Sequence, residues 1–304
     1  MILNTYRGGN YFRLAVRCLG MVAIPVLLSA CSPRYLIVQG IGNELASQGE
    51  STEDDLILAR EASAFYLKLS ESVLRQSPDN IKLAEAVAAG FTQYAYAFVS
   101  FEAERIEVKD TRAAQKLRER ATRLYLRAHR HAMATLEHHK HGFAKALSSS
   151  DPKYWPSLSD DEIGVAYWAA ASWGGYISLS KDDPNIVADL PLAVRLAHLA
   201  WARKPDYGDG ALSSLMGSFE ISRPGGTRQQ AAAYFDQAIA ASAGRSAGPF
   251  VAKAENIALP TGDRAAFDTL LHQALVASDS QRDLQNEVMR ERALWLMETA
   301  DDLF

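Results

Sequence analysis

From residue 53 to residue 302, apolar side chains and alanines recur every three to four positions, with hardly a run of apolar–polar alternation. A chain patterned this way buries its apolar residues as packed helices, not as sheet. The spacing predicts helices near 53–76, 80–106, 111–140, 160–179, 189–203, 209–222, 227–242, 248–258, 263–277 and 284–302. Breakers fall where those helices must end: Ser77-Pro78-Asp79, Lys204-Pro205-Asp206 and Arg223-Pro224-Gly225-Gly226. Ser159 followed by Glu162 spells a capping box, in which the serine oxygen and the glutamate carboxylate each satisfy a free backbone N–H, and Ser51 with Asp54 spells a weaker one. Ala146 to Ser159, with Pro152 and Pro156, is the expected place for an internal boundary.

Paired helices of this length suggest a helical repeat. The second helix of a tetratricopeptide repeat carries alanine, an aromatic or apolar residue, alanine and proline at offsets 0, 4, 7 and 12, because small residues let two helices approach while the larger one fills the gap. Ala193, Ala197, Ala200 and Pro205 fit all four positions; Ala231, Phe235 and Ala238 fit three, as do Ala121, Tyr125 and Ala128. The expected fold class is therefore all-α, with tetratricopeptide-like stacked helical hairpins forming an α-solenoid or compact helical array over residues 51–304. Self-association of such an array is expected, its order not fixed by the sequence.

The N-terminus has a different character. Arg7, Arg13 and Arg17 form a basic stretch without an acidic residue, and the apolar run from Cys18 to Leu28 is too short to span a bilayer. It stops at Leu28-Ser29-Ala30-Cys31. This segment resembles a bacterial lipoprotein signal, in which small residues admit the peptidase and the Cys31 thiol accepts a diacylglyceryl group. Residues 1–30 are then a signal peptide, 31–50 a tether, and acyl chains worth about 0.8 kcal/mol per buried methylene form the anchor. Ser32 after the cysteine, where aspartate is absent, favours an outer membrane and a periplasm-facing domain.

Loss of residues 1–30 removes three arginines, leaving 29 basic against 36 acidic residues, a net charge of −7. An acidic domain of this kind is a poor match for nucleic acid or for anionic lipid headgroups. Cys18 leaves with the signal and Cys31 is the acylation site, so no intramolecular disulfide is available. No Gly-rich phosphate loop, Gly-x-Ser-x-Gly elbow, His-Glu-x-x-His pair or paired carboxylate setting occurs, so no catalytic residue and no cofactor is expected. His129, His131, His138, His139 and His141 cluster, and His138 with His141 has a helical ligand spacing. No carboxylate shares that face, so the expectation is a polar helix end without metal.

One helix stands out. Gly174 and Gly175 sit in mid-helix, each costing about 1 kcal/mol relative to alanine, which implies close backbone approach or a bend. Around them Trp168, Trp173 and Tyr176 present large apolar surfaces with one polar tip each. They read either as a packed layer between hairpins or as the lining of an apolar cleft for a ligand or partner. Lys181 and Asp182, with Asp183, close the helix, either as a solvated end or as residues that position a loop.

The stretch Ala171-Ser172-Trp173-Gly174-Gly175-Tyr176-Ile177-Ser178-Leu179-Ser180-Lys181-Asp182-Asp183-Pro184 is followed by Ala188-Asp189-Leu190-Pro191, Lys204-Pro205-Asp206-Tyr207-Gly208-Asp209-Gly210-Ala211, Leu259-Pro260-Thr261-Gly262-Asp263 and Asp301-Asp302-Leu303-Phe304. In this order the motifs resemble the T-component family of TRAP transporters, called TatT. The resemblance implies an envelope lipoprotein without a catalytic centre. Such a protein would associate with the periplasmic solute-binding protein of a tripartite ATP-independent periplasmic transporter and pass it a small, apolar ligand. The alternative reading is a tetratricopeptide-type adaptor lipoprotein in outer-membrane or cell-wall assembly, since repeat arrays present surfaces to other proteins.

Overall fold

The computed structural model describes residues 55–304. The signal segment 1–30, Cys31, the tether 31–50 and the Ser51–Asp54 cap lie outside the described residues. Within them every regular element is helical. Helix α1 (Leu56–Leu74) starts where the Asp55 carboxylate accepts the N–H groups of Ile57 and Leu58, both at 3.0 Å. The expected helix over 80–106 is instead α2 (Ile81–Ala95), a π turn (Tyr96–Ser100) and α3 (Phe101–Ile106) in continuous succession. A π turn adds a residue to one helical turn and so rotates everything beyond it. Helix α4 (Thr111–His139) is capped by Asp110.

The segment 146–159 is filled by the end of α5 (Phe143–Leu147) and a 3₁₀ turn (Pro152–Tyr154). The capping box forms: Glu162 accepts the Ser159 N–H at 2.7 Å and the Lys140 ammonium at 2.7 Å, and α6 (Ile163–Ser178) follows. Then come the short α7 (Pro184–Val187), α8 (Leu190–Arg203), α9 (Ala211–Ser222) and α10 (Arg228–Ala241). Helix α11 (Gly248–Lys253) runs into a second π turn (Ala254–Ala258). The chain ends with α12 (Arg264–Ser280), α13 (Leu284–Glu298) and α14 (Ala300–Leu303). Helix α12 continues three residues past the expected end at 277.

The elements pack as antiparallel hairpins: α2–α3 with α4, α6 with α8, α9 with α10, and α11 with α12; α13 caps the last. The repeat triplets form the seams. Ala121, Ala128, Ala193, Ala197, Ala200, Ala231, Phe235 and Ala238 are fully buried and Tyr125 nearly so. The partner surface is glycine: a Cβ at Gly175 of α6 would lie 2.7 Å from the Tyr125 ring, and one at Gly217 of α9 2.8 Å from Phe235. A fourth triplet, Phe267, Leu271 and Ala274 on α12, is equally buried. One apolar cluster runs from Ala59 to Phe219 and a second from Ala247 to Ala300. Helices α4 and α6, on either side of 146–159, pack together inside the first.

The C-terminal part of the array meets its start. Helix α13 packs on α1, and Trp295 meets Phe101 of α3 edge-on at 5.5 Å. Between them Arg292, with only 9% of its side chain exposed, holds Glu255 with two nitrogens (2.6 and 3.1 Å) and Glu104 with one (3.0 Å). Both glutamates lie in or beside the helices interrupted by the π turns.

A second buried carboxylate ties α1 to α4. Glu71, 2% exposed, accepts from Lys68, Arg127 and His131, and Arg75 lies 3.4 Å away. Burial pushes its pKa up, but the hydrogen bonds from Arg127, Lys68 and His131 outweigh this and hold it well below the ordinary 4.5. A depressed folded-state pKa contributes stability above the ordinary value and loses it as the pH falls below. We expect Glu71→Gln to cost about 1.5–3 kcal/mol near neutral pH. Urea unfolding near pH 7 and near pH 3.5 tests this: the gap between variant and parent should narrow in acid, and a pH-independent gap would refute the ionic account.

Candidate functional site

Helix α6 packs against α2, α4 and α8, with α9 beside Gly174, which explains its composition. Ile163, Gly164, Val165, Ala166, Ala169, Ala170, Ser172, Trp173 and Ile177 are all buried, so the helix has almost no polar face. The paired glycines admit neighbours from both sides: the Tyr125 ring takes the space beside Gly175, and a Cβ at Gly174 would lie 2.9 Å from the Phe219 ring. The space beside Gly174 and Gly175 is therefore filled by two rings from α4 and α9. Trp173, 8% exposed, lies on the His129 ring at 4.4 Å. Burial lowers the His129 pKa, which favours the neutral ring, and Nδ1 lies 3.1 Å from the Ala169 carbonyl oxygen.

Trp168 is placed differently. It is half-buried at the N-terminal half of α6, edge-on to Tyr167 at 4.7 Å, and Tyr167 lies 5.3 Å from Tyr207 in the loop after α8. The Tyr207 hydroxyl donates to the Glu85 carboxylate of α2. Gly164 leaves room for that carboxylate, since any side chain there would collide with it. Burial raises the Glu85 pKa, with the Tyr207 hydrogen bond and Lys82 opposing, and burial pushes the Tyr167 hydroxyl up to about 12. The result is a half-open aromatic wall beside a carboxyl group held on a phenol.

The structure thus divides the expected site. Trp173 is buried, Gly174 and Gly175 lie against the Phe219 and Tyr125 rings, Trp168 lies in the aromatic wall, and Tyr176 is half-buried near the C-terminal end of α6. Lys181 and Asp182 are exposed in the turn beyond, more than about 15 Å along the axis from Trp168. Glu85, Tyr167 and Gly164 were not anticipated. Tyr207 lay inside the Lys204–Ala211 motif, and that motif was the available signal.

The histidines separate as well. His131 serves Glu71, His139 approaches the Asp79 carbonyl oxygen, and α4 ends at His139, so His141 is not on the helix and its spacing from His138 is not helical. Glu137 instead accepts the N–H groups of Gly142 and Ala144. Among the described residues no group of three or more His, Cys, Asp or Glu is arranged to hold a metal ion.

Two clefts stand out on the surface. One, of about 770 Å³, lies where the array closes, between the start of α1, Ala97 to Arg105, and α13. Its floor includes Leu56, Phe98, Phe101 and Val288, and charged residues such as Arg60, Glu61, Glu102, Arg105 and Glu291 share the lining. The other, of about 430 Å³, lies beside Phe250, His272 and Val276. Neither borders Trp168–Tyr176. No helix of the described residues is long and apolar enough to cross a membrane.

Stacked hairpins, seamed by small residues against rings and closed end to end by α13, define an all-α repeat array. The family model for the TRAP transporter T-component matches residues 52–304, and the chain belongs to that family. An uncharacterized protein of Treponema pallidum (strain Nichols) is similar, at 26% identity over 94% of this chain and 97% of its own length. Membership links the chain to a TRAP transporter as an accessory component.

Proposed function

We propose that the protein is a non-catalytic, lipid-anchored T-component that associates with the solute-binding protein of its TRAP transporter and hands it a small apolar ligand. The observation that carries this is the family match over 52–304, joined to the Leu28-Ser29-Ala30-Cys31 signature ahead of it. The anchor holds the domain on the periplasmic face of the outer membrane. Trp168, with Tyr167, Tyr207 and Glu85, forms the partner contact in this reading, because half-open aromatic rings next to a polar group favour recognition. Lys181 and Asp182, in the turn beyond the other end of α6, lie outside this contact. The adaptor reading for envelope assembly has no comparable support.

Crosslinking in native membranes, followed by mass spectrometry, tests the partnership. Recovery of the solute-binding protein supports it, and recovery of barrel-assembly or peptidoglycan proteins in its place would favour the adaptor. Cys31→Ala tests the anchor: we expect unprocessed precursor or release from membranes. Processed Cys31→Ala protein that still fractionates with membranes would refute lipidation at this residue.

A further inference from the structure

Helix α4 carries the charge that the rest of the domain lacks. Over Thr111–His139 it has seven arginines and lysines against two glutamates, whereas the remainder of the mature chain has 22 basic against 34 acidic residues. Six of the seven are aligned. Arg112, Lys116, Arg120, Arg123, Arg127 and Arg130 follow one another at four, four, three, four and three positions, and so form one line about 27 Å long. The line runs along the side of α4 away from the buried Ala121, Tyr125 and Ala128, and all of it but Arg127 is exposed.

A solvated helix face commonly alternates its charges, because like charges three or four positions apart repel. Here each such neighbour along the line is another cation, and Glu119 is the single exposed carboxylate on the helix. The rest of the fold supplies little counter-charge. Arg127 is taken by Glu71, Arg118, off the line, by Glu107, and Arg120 lies over the Tyr94 ring at 5.8 Å. Arg112, Lys116, Arg123 and Arg130 pair with no carboxylate among the described residues. Helix α2, which packs on α4, exposes Lys82 and Gln93 but no acid, and α6, which also packs on it, has no charged residue.

Unpaired cations in a row require an anionic occupant, and composition and shape narrow its class. Five of the six are arginines, whose planar guanidinium groups match carboxylates in forked pairs. A broad polyanion such as a membrane or a nucleic acid would also face Glu119 and, at the head of the helix, Glu107 and Asp110, and would be repelled by the acidic domain around the line. The bounded acidic face of a protein can meet a line of this length without meeting those groups.

We propose that the outer face of α4 is a docking surface for an acidic face of the solute-binding protein, a second contact besides the Trp168 wall. The inference rests on the transporter partnership proposed above. The line acts chiefly on encounter: it accelerates the approach of an acidic protein, and the effect fades as salt screens it.

The test compares the full-length lipidated protein, in detergent micelles, with the variant Lys116→Glu, Arg123→Glu, Arg130→Glu. Alternating signs along the line gives Arg112, Arg120 and Arg127 opposite charges three or four positions away, so the helix itself is not weakened. Lys145→Glu, Arg228→Glu, Arg245→Glu, at exposed positions away from α4, is the control with the same net charge. The probe is the solute-binding protein recovered by crosslinking, purified, with association rates measured from about 0.02 to 0.5 M salt. At low salt we expect the α4 variant to associate at least ten-fold more slowly than parent and control, and to lose most of the parent's salt dependence. Equal rates for the parent and the α4 variant would overturn the docking surface and leave the partnership standing. An equal slowing in the control would assign the effect to net charge and overturn it as well. Unchanged association, with either lost binding to phosphatidylglycerol vesicles or a reduced protomer number by light scattering, would give the line to lipid or to a second copy and overturn it too. A parent protein that does not bind the solute-binding protein at all would remove the partnership and this inference together.

Discussion

Arg292→Ala should lower stability by about 3 kcal/mol and loosen the closure of the array before anything else. Removing one partner of a buried ion pair leaves the other charge in a poorly hydrated site, at about 3–5 kcal/mol. The lower end applies because Glu104 and Glu255 keep 35% and 24% of their side chains exposed and can recover water. Burial already raises the Glu104 pKa, with Arg292 as the main opposing influence. Without the guanidinium, Glu104 takes up a proton more readily. The arginine also lies over Tyr96, Phe101 and Trp295 at 5.2–5.8 Å, so its removal opens the packing between α3 and α13. Hydrogen exchange should accelerate in residues 96–106 and 284–303 while α8 to α10 stay protected. The variant Arg292→Met with Glu104→Gln and Glu255→Gln should recover much of the loss, since no charge is then stranded. A loss under about 1 kcal/mol, or exchange that rises uniformly, would mean that the contact does not hold the ends together.

That contact shows where a sequence stops being informative. Arg292 and Glu104 are 188 positions apart, and nothing local marks them as partners. The two π turns beside them carry no residue pattern that distinguishes them from α-helix. By contrast, the seams at Ala193-Ala197-Ala200 and Ala231-Phe235-Ala238 were legible because close helix approach demands small residues at fixed offsets. The seam on α12 escaped the same rule because Phe267 stands where the pattern wants alanine. The glycines were visible as anomalies, but not their meaning. Gly175 is explained only by Tyr125, fifty residues earlier, whose ring fills the space that the sequence left open for a ligand. Trp168 and Trp173 are equally aromatic in the sequence, and only the packing of α4 against α6 separates their roles.

The two tryptophans should therefore fail differently when truncated. Trp173 is buried where α6 meets α4, and the His129 ring it lies on is itself held at the Ala169 carbonyl oxygen and has little freedom to collapse into the gap. Trp173→Ala should cost on the order of 3–5 kcal/mol, the range for a large side chain removed from a packed interior. His129 would lose its ring contact and gain water, so its pKa should move back up toward the ordinary imidazole range, which histidine NMR can follow. The folded fraction should still capture the solute-binding protein as the parent does. Trp168→Ala removes a half-exposed ring from the wall at Tyr167 and Tyr207, where solvent can fill the space. It should shift unfolding by no more than about 1 kcal/mol, as for surface positions. Partner capture by Trp168→Ala should drop at least ten-fold if the wall is the contact, a change of about 1.4 kcal/mol. Thermal unfolding and a quantitative capture assay on both variants decide the matter. A stable Trp173→Ala protein with impaired capture, beside a Trp168→Ala protein that binds normally, would move the functional surface into the interior of α6 and refute the division drawn here.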